Sequence, residues 1–190
     1  KVFWGYSSHD SYPSRLAARK LCDVMLGVMP DDRFGKRVLF SKPYYFAKFE
    51  YVLRSKPDGP VAVPVSDVPL AVERGVAVRG IRGRTTRRYP SLAAILEAVA
   101  GGRERAGYVI STHGHWLAET RWPRQLTFVD GRPSVDRFPI CAAVRRADGD
   151  LKTAIDRAFE QLDRSGQLRR VFSRWHIPYD SPAEAGKAER

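Results

Sequence analysis

Cysteine and methionine are scarce in this chain, two of each among 190 residues. Two cysteines allow at most one disulfide and exclude a bridge-framed scaffold. No apolar run approaches the ~20 residues that a membrane-crossing helix needs, so membrane insertion is not expected. Nothing at Lys1 reads as a charged-then-apolar leader. Acidic residues are outnumbered, 21 against 33 lysines and arginines, which gives a net charge of +12 and a pI near 10.1.

The usual signatures of catalysis are missing too. There is no HExxH and no GxSxG, and Gly27 to Lys36 lacks both the spacing and the hydroxyl residue of a phosphate loop. His113-Gly114-His115 is the most enzyme-like feature. Two histidines one apart can share a metal, but only four histidines exist and a third ligand cannot be placed beside them. The reading is therefore non-enzymatic: no catalytic residue, metal ligand or cofactor is assigned.

What is present is an α/β pattern. Val24 to Val28 is a short apolar run suited to a buried strand. The turn Pro30 to Lys36 follows, then a second apolar run that breaks at Lys42-Pro43, where proline forces extended geometry on its neighbour. Lys1 to Tyr6 reads as a strand and Ser11 or Ser14 as the start of a helix ending near Lys20. Phe46 to Arg54 reads as extended, and Lys56 to Pro60 as a turn. Leu70 to Val72, Tyr108 to Ile110 and Leu126 to Val129 read as strands. Ser91 caps a helix with Leu92, Ile95, Leu96 and Val99 at helical spacing, and His115 to Arg121 reads as a short helix. Phe138 to Arg145 reads as another extended run. Asp148 caps the longest helix, whose apolar stripe is Leu151, Ile155, Ala158, Phe159 and Leu162. A second helical piece carries Leu168, Val171, Phe172 and Trp175.

The densest charge lies from Arg79 to Arg88, five arginines and no acid. Gly80 and Gly83 interrupt it, so it reads as a loop or broken helix. A solvated surface explains it, and a basic nucleic-acid-binding protein is the competing reading. No helix-turn-helix, RNP or zinc pattern accompanies it, so nucleic acid is not expected as the partner.

The order Asp23, Gly27, Arg33, Phe40-Ser41-Lys42-Pro43-Tyr44 resembles the first lobe of family-3 periplasmic solute-binding proteins. That likeness continues with gaps to Tyr179. It implies a two-lobed α/β type-2 periplasmic-binding-protein fold with a hinge between the lobes. Residues 1–50 and 140–180 would form lobe 1, 51–139 lobe 2, and 181–190 a frayed tail. In the family a strand and helix precede the point where this chain begins, so the first lobe reads as incomplete, short of about one βα unit. Phe138 to Arg145 becomes the return crossing into lobe 1. The strands bearing Cys22 and Cys141 would be antiparallel neighbours with the two thiols at opposite ends, too far apart to bridge.

The resemblance also implies a monomer that captures a small polar or anionic solute in the cleft and hands it to an ABC permease, with a periplasmic location. Arg33 would grip a carboxylate through two hydrogen bonds, with a surface arginine as the other reading. Ser41 belongs to the same lobe-1 motif, and Tyr44 and Tyr45 would wall the cleft or pack a hinge. Gly75 would let backbone approach the ligand. Amino-acid binders place a carboxylate after the strand matching Tyr108 to Ile110. Ser111-Thr112-His113 stands there instead, and an ammonium group without a counter-charge is costly to desolvate. A narrower branch, the partners of periplasmic quinoprotein (PQQ-dependent) alcohol and methanol dehydrogenases, also lacks that carboxylate. It resembles this chain at Cys22-Asp23-Val24, Gly27-Val28, Pro43-Tyr44-Tyr45 and Ile177-Pro178-Tyr179. The chain would then serve a dehydrogenase or its cytochrome, and a basic face would suit an acidic protein partner.

Overall fold

The computed structural model describes residues 22–31, 36–55, 68–76, 81, 83–130 and 137–183. The expected strand at Val2, the helix after Ser11 and the turn at Lys56 to Pro60 lie outside these residues. The chain divides into two compact units, one of residues 1–46, 138–170 and 179–190, the other of 47–137 and 171–178.

In the first unit, β1 (Val24–Val28) and β2 (Val38–Phe40) both pair antiparallel with β8 (Arg137–Arg145). Val24 stands opposite Val144 and Val28 opposite Cys141, so the return strand lies beside the first described strand. Cys22, two residues before β1, is thus at the far end of the pair from Cys141, and both cysteines are free thiols. The register slips between Met25 and Val28, where Gly27 takes φ +76°. This is the left-handed geometry of a bulge, which glycine adopts without steric cost.

α3 (Gly149–Arg164) belongs to this unit, and α4 (Gln167–Arg174) begins in it and passes into the second at Val171. Asp148 occupies the cap position of α3 but makes no capping bond; its carboxylate pairs with Arg145 at 2.7 Å instead. Of the expected stripe on α3, Leu151, Ile155, Phe159 and Leu162 are half-buried and Ala158 is exposed. Ser181 departs from the expected frayed tail. It is 3% exposed, and its hydroxyl donates to Asp163 Oδ2 at 2.8 Å.

The second unit is built on β3 (Tyr45–Arg54), which enters it at Ala47. β3 pairs antiparallel with β6 (Ala106–Ile110) on one side and β7 (Leu126–Asp130) on the other. β4 (Leu70–Glu73) lies parallel to β6 and to β5 (Thr86–Tyr89). β5 corrects the reading of the arginine-rich segment, whose end is a strand. Its arginines have local work to do. Arg87 bonds the buried Glu104 at 3.1 Å, while Arg88 donates to the carbonyls of Glu73 and Val76.

Both faces of this sheet are covered. Val52, Ala71, Ile95, Leu96, Val99, Val109 and Ala118 form one core, packed against α1 (Leu92–Ala100) and α2 (Ser111–Arg121). Leu53, Val68, Leu70, Val72, Ile81, Ala106 and Tyr108 form the other. Ser91 caps α1 by accepting from the amide of Ala94 at 3.2 Å, as its spacing predicts. α2 starts at Ser111, four residues before the expected His115. Gly114 lies inside it, and a Cβ there would lie 3.0 Å from Phe128 and 3.1 Å from Val109. Close approach of the helix to its sheet is what requires glycine at that position.

Candidate functional site

Of the residues expected to bind ligand, Arg33 lies outside the described residues. The remaining ones sit at two places, one in each unit.

In the first unit the run from Ser41 to Tyr45 is stitched along β8. Ser41 N and Tyr44 N donate to the carbonyls of Ala142 and Ile140. Ser41 is buried, and its hydroxyl accepts from Ala142 N at 2.9 Å and donates to Lys42 O at 2.7 Å. Tyr44 stacks on Phe159 of α3 with ring centroids 4.5 Å apart, and leans on Tyr45 at 5.1 Å. Its hydroxyl accepts from the Gly27 amide at 3.1 Å. Burial pushes both phenols up: Tyr44 well above its ordinary value despite that amide, and Tyr45 to about 12.

One face of α3 holds this run in place. The buried Asp156 accepts from Lys42 N at 2.7 Å and from Lys152 Nζ at 2.6 Å. Two turns on, Asp163 accepts from Tyr179 and Ser181, and Tyr179 also donates to Tyr44 O at 2.9 Å. Burial, then the bond to Asp163, raises the Tyr179 phenol far above its usual range.

In the second unit Gly75 follows β4 at φ +77° and is exposed. Ser111, Thr112 and His113 form the first turn of α2, with both hydroxyl residues buried and His113 exposed. The helix has no side-chain cap and no acid in this turn. Its unpaired amides and dipole therefore present uncompensated positive character. Ser111 Oγ accepts from Lys48 N at 3.4 Å.

Beside Ser111 stands a charged cluster that the sequence reading missed. Glu50, 4% exposed on β3, accepts from Lys48 Nζ at 3.0 Å and from His115 Nε2 at 2.8 Å. Lys48 also pairs with Asp130 at the end of β7. Burial alone would lower the Lys48 pKa; its bonds to Asp130 and Glu50 outweigh that and hold it above the usual lysine range. The same ammonium pulls the Asp130 carboxyl down. A signal for the pair was present, since residues two apart on a strand share a face. Lys48 and Glu50 are such a pair of opposite charges. His113 and His115 do not act together, because His115 is committed to Glu50 and stacked on Phe128 at 3.9 Å. Among the described residues no three of His, Cys, Asp and Glu stand close enough to hold a metal.

The described helices include none long and apolar enough to cross a membrane. Residues 15–178 match the family model of the bacterial extracellular solute-binding proteins, family 3. The chain belongs to that family. Solved structures agree on the two-lobed periplasmic-binding-protein fold. An ancestral cationic amino acid solute-binding protein (AncCDT-1) superposes with a TM-score of 0.77 at 21% identity, over 93% of this chain and 78% of that one. The second substrate-binding domain of a putative amino acid ABC transporter from Streptococcus pneumoniae gives 0.70 at 15% identity, over 87% and 76%. MxaJ from Methlophaga aminisulfidivorans gives 0.64 at 18%, over 86% and 78%. No curated protein matches the chain at a significant level.

Proposed function

We propose that this family-3 binding protein captures a small polar or anionic solute in the periplasm for ABC-type uptake. The observation that carries the reading is the start of α2. Ser111, Thr112 and His113 open an uncapped helix with no acid in its first turn. Helix N-termini of this kind favour negative charge. An amino-acid ammonium would find no partner there, and the nearby carboxylates Glu50 and Asp130 are already engaged by Lys48. On this reading Ser111, Thr112 and His113 supply donors from one unit. Arg33, Ser41, Tyr44, Tyr45 and Gly75 are the other proposed contacts.

A thermal-shift screen of the purified protein against organic acids, inorganic anions, amino acids and amines tests the proposal. A true ligand at 100 times its Kd adds about 2.7 kcal/mol of stability. Stabilisation by mono- or dicarboxylates but not by amines is the expected result. Stabilisation by cationic amino acids alone would reverse the assigned charge preference. A second reading, an accessory partner of a periplasmic quinoprotein alcohol dehydrogenase or its cytochrome, is supported by the likeness to MxaJ and by the branch residues at Cys22 and Tyr44. Stabilisation by no small molecule, with retention on an acidic cytochrome, favours it.

A further inference from the structure

The second unit contains a cavity that the solute reading does not use. It lies toward the C-terminal half of α2, away from Ser111 to His113, and has a volume of about 300 Å³. That is at the lower end of the roughly 300–1,000 Å³ usual for small-molecule pockets. Three separate stretches line it: His115 to Glu119 on α2 with Trp122 at its cap, Arg124 to Phe128 through the following turn into β7, and His176 just beyond α4.

Two features mark it as more than a packing gap. First, Arg124 and His176 have φ of +61° and +56°, and no other non-glycine residue among those described has positive φ. His176 is the left-handed residue that closes α4, with Ile177 N donating to Phe172 O, and Arg124 stands in the turn that follows α2. Here both, from turns some fifty residues apart in sequence, fall on the rim of one cavity. Second, the Arg124 guanidinium has no ion-pair partner among the described residues, although Glu119 lines the same cavity. His115 is meanwhile pinned by Glu50 and stacked on Phe128. The walls are partly aromatic, with Trp122 and Phe128 beside Leu126.

We infer that this cavity is a second ligand site, separate from the family's solute site, for a small aromatic carboxylate. The planar guanidinium of Arg124 matches a carboxylate through two parallel hydrogen bonds, and the His176 imidazole offers a further donor. Trp122 and Phe128 supply faces for a flat apolar body. Glu119 disfavours a second negative charge on that body and tolerates an amino substituent.

Titration of the intact chain with benzoate, acetate and benzylamine, followed by calorimetry and amide NMR, tests this. Benzoate should bind saturably and shift the Trp122 indole and the amides of Arg124 and Thr127. Acetate should bind at least tenfold more weakly, and benzylamine not at all. Arg124→Asn removes the charge while asparagine tolerates the left-handed backbone. It should weaken benzoate at least tenfold and leave the melting temperature unchanged or higher. The site is overturned by absence of saturable benzoate binding, or by equal affinity in Arg124→Asn. It is equally overturned by shifts centred on Ser111 to His113, which would place benzoate at the solute site instead.

Discussion

The described parts of the two units hold together by different means. In the second, a five-stranded sheet carries a buried apolar cluster on each face, and Ile95, Leu96, Val52 and Val99 are fully enclosed. In the first, the described apolar cluster is Val28, Val38, Cys141 and Ala143 with partly buried neighbours, and Ile140, Ala142, Val144 and Leu168 are buried besides. Directed polar bonds do more of the work there. Asp156 and Asp163 of α3 fasten the Lys42–Tyr44 run and the stretch from Tyr179 to Ser181. Area burial tolerates small shifts of position, whereas a hydrogen bond fixes a loop to a few tenths of an ångström. The polar unit is also the one that holds Tyr44 and Tyr45, the former stacked on Phe159.

The contrast breaks most sharply through the apolar unit. Ile95→Ala should cost about 2–5 kcal/mol by opening a cavity in an enclosed core. Hydrogen exchange should then speed up in α1, β4 and β6 before it does in β8. A smaller effect is expected in the polar unit. Asp156→Ala strands the Lys42 amide and should cost about 1–3 kcal/mol, with faster exchange confined to Ser41–Tyr45. Asp156→Asn keeps an acceptor and should recover part of that loss. If Asp156→Ala proves as neutral as a surface change, the polar ties are not what secures this unit.

The smallest effect is alkaline. Burial raises Tyr45 from near 10 to about 12 and Cys141 to about 11. Between the ordinary and raised values the folded chain keeps protons that the unfolded chain releases. Stability from these groups is therefore complete below about pH 8.5–10 and falls as pH rises toward 11–12. Tyr45→Phe should flatten the upper part of that decline, measured by denaturant midpoints from pH 8 to 12. An unchanged slope would mean that Tyr45 titrates normally.

Much of the frame was legible because its signals are local. Ser91 with its apolar spacing marks α1, and the apolar run at Val24 marks β1. The pairing of β1 with β8 needed the family resemblance, since nothing within either strand names a partner more than a hundred residues away. β5 escaped notice because an edge strand need not be apolar, and Thr86-Arg87-Arg88-Tyr89 reads as a basic loop until Glu104 and the carbonyls of Glu73 and Val76 are seen to occupy its arginines. Ser111 to His113 follow β6 as expected, but the helix was read as starting only at His115, because no side-chain cap marks its true start at Ser111. Beyond the Lys48–Glu50 pair, the Glu50 cluster and the cavity at Arg124 could not be read from sequence for a common reason. Each joins residues from three or more segments, and only folding brings those together.

The pairing of β1 and β2 with β8 has a consequence for how the protein is made. Both strands leave the ribosome about a hundred residues before 137–145 exist to receive them, whereas β4 is followed closely by its partner β5, and β3 has its partners β6 and β7 before β8 is made. The half synthesised first is thus the half completed last. During that interval the exposed edges around Leu26 and Met29 are open to unwanted strand pairing. A chaperone that recognises short apolar segments would find its target there until β8 is made.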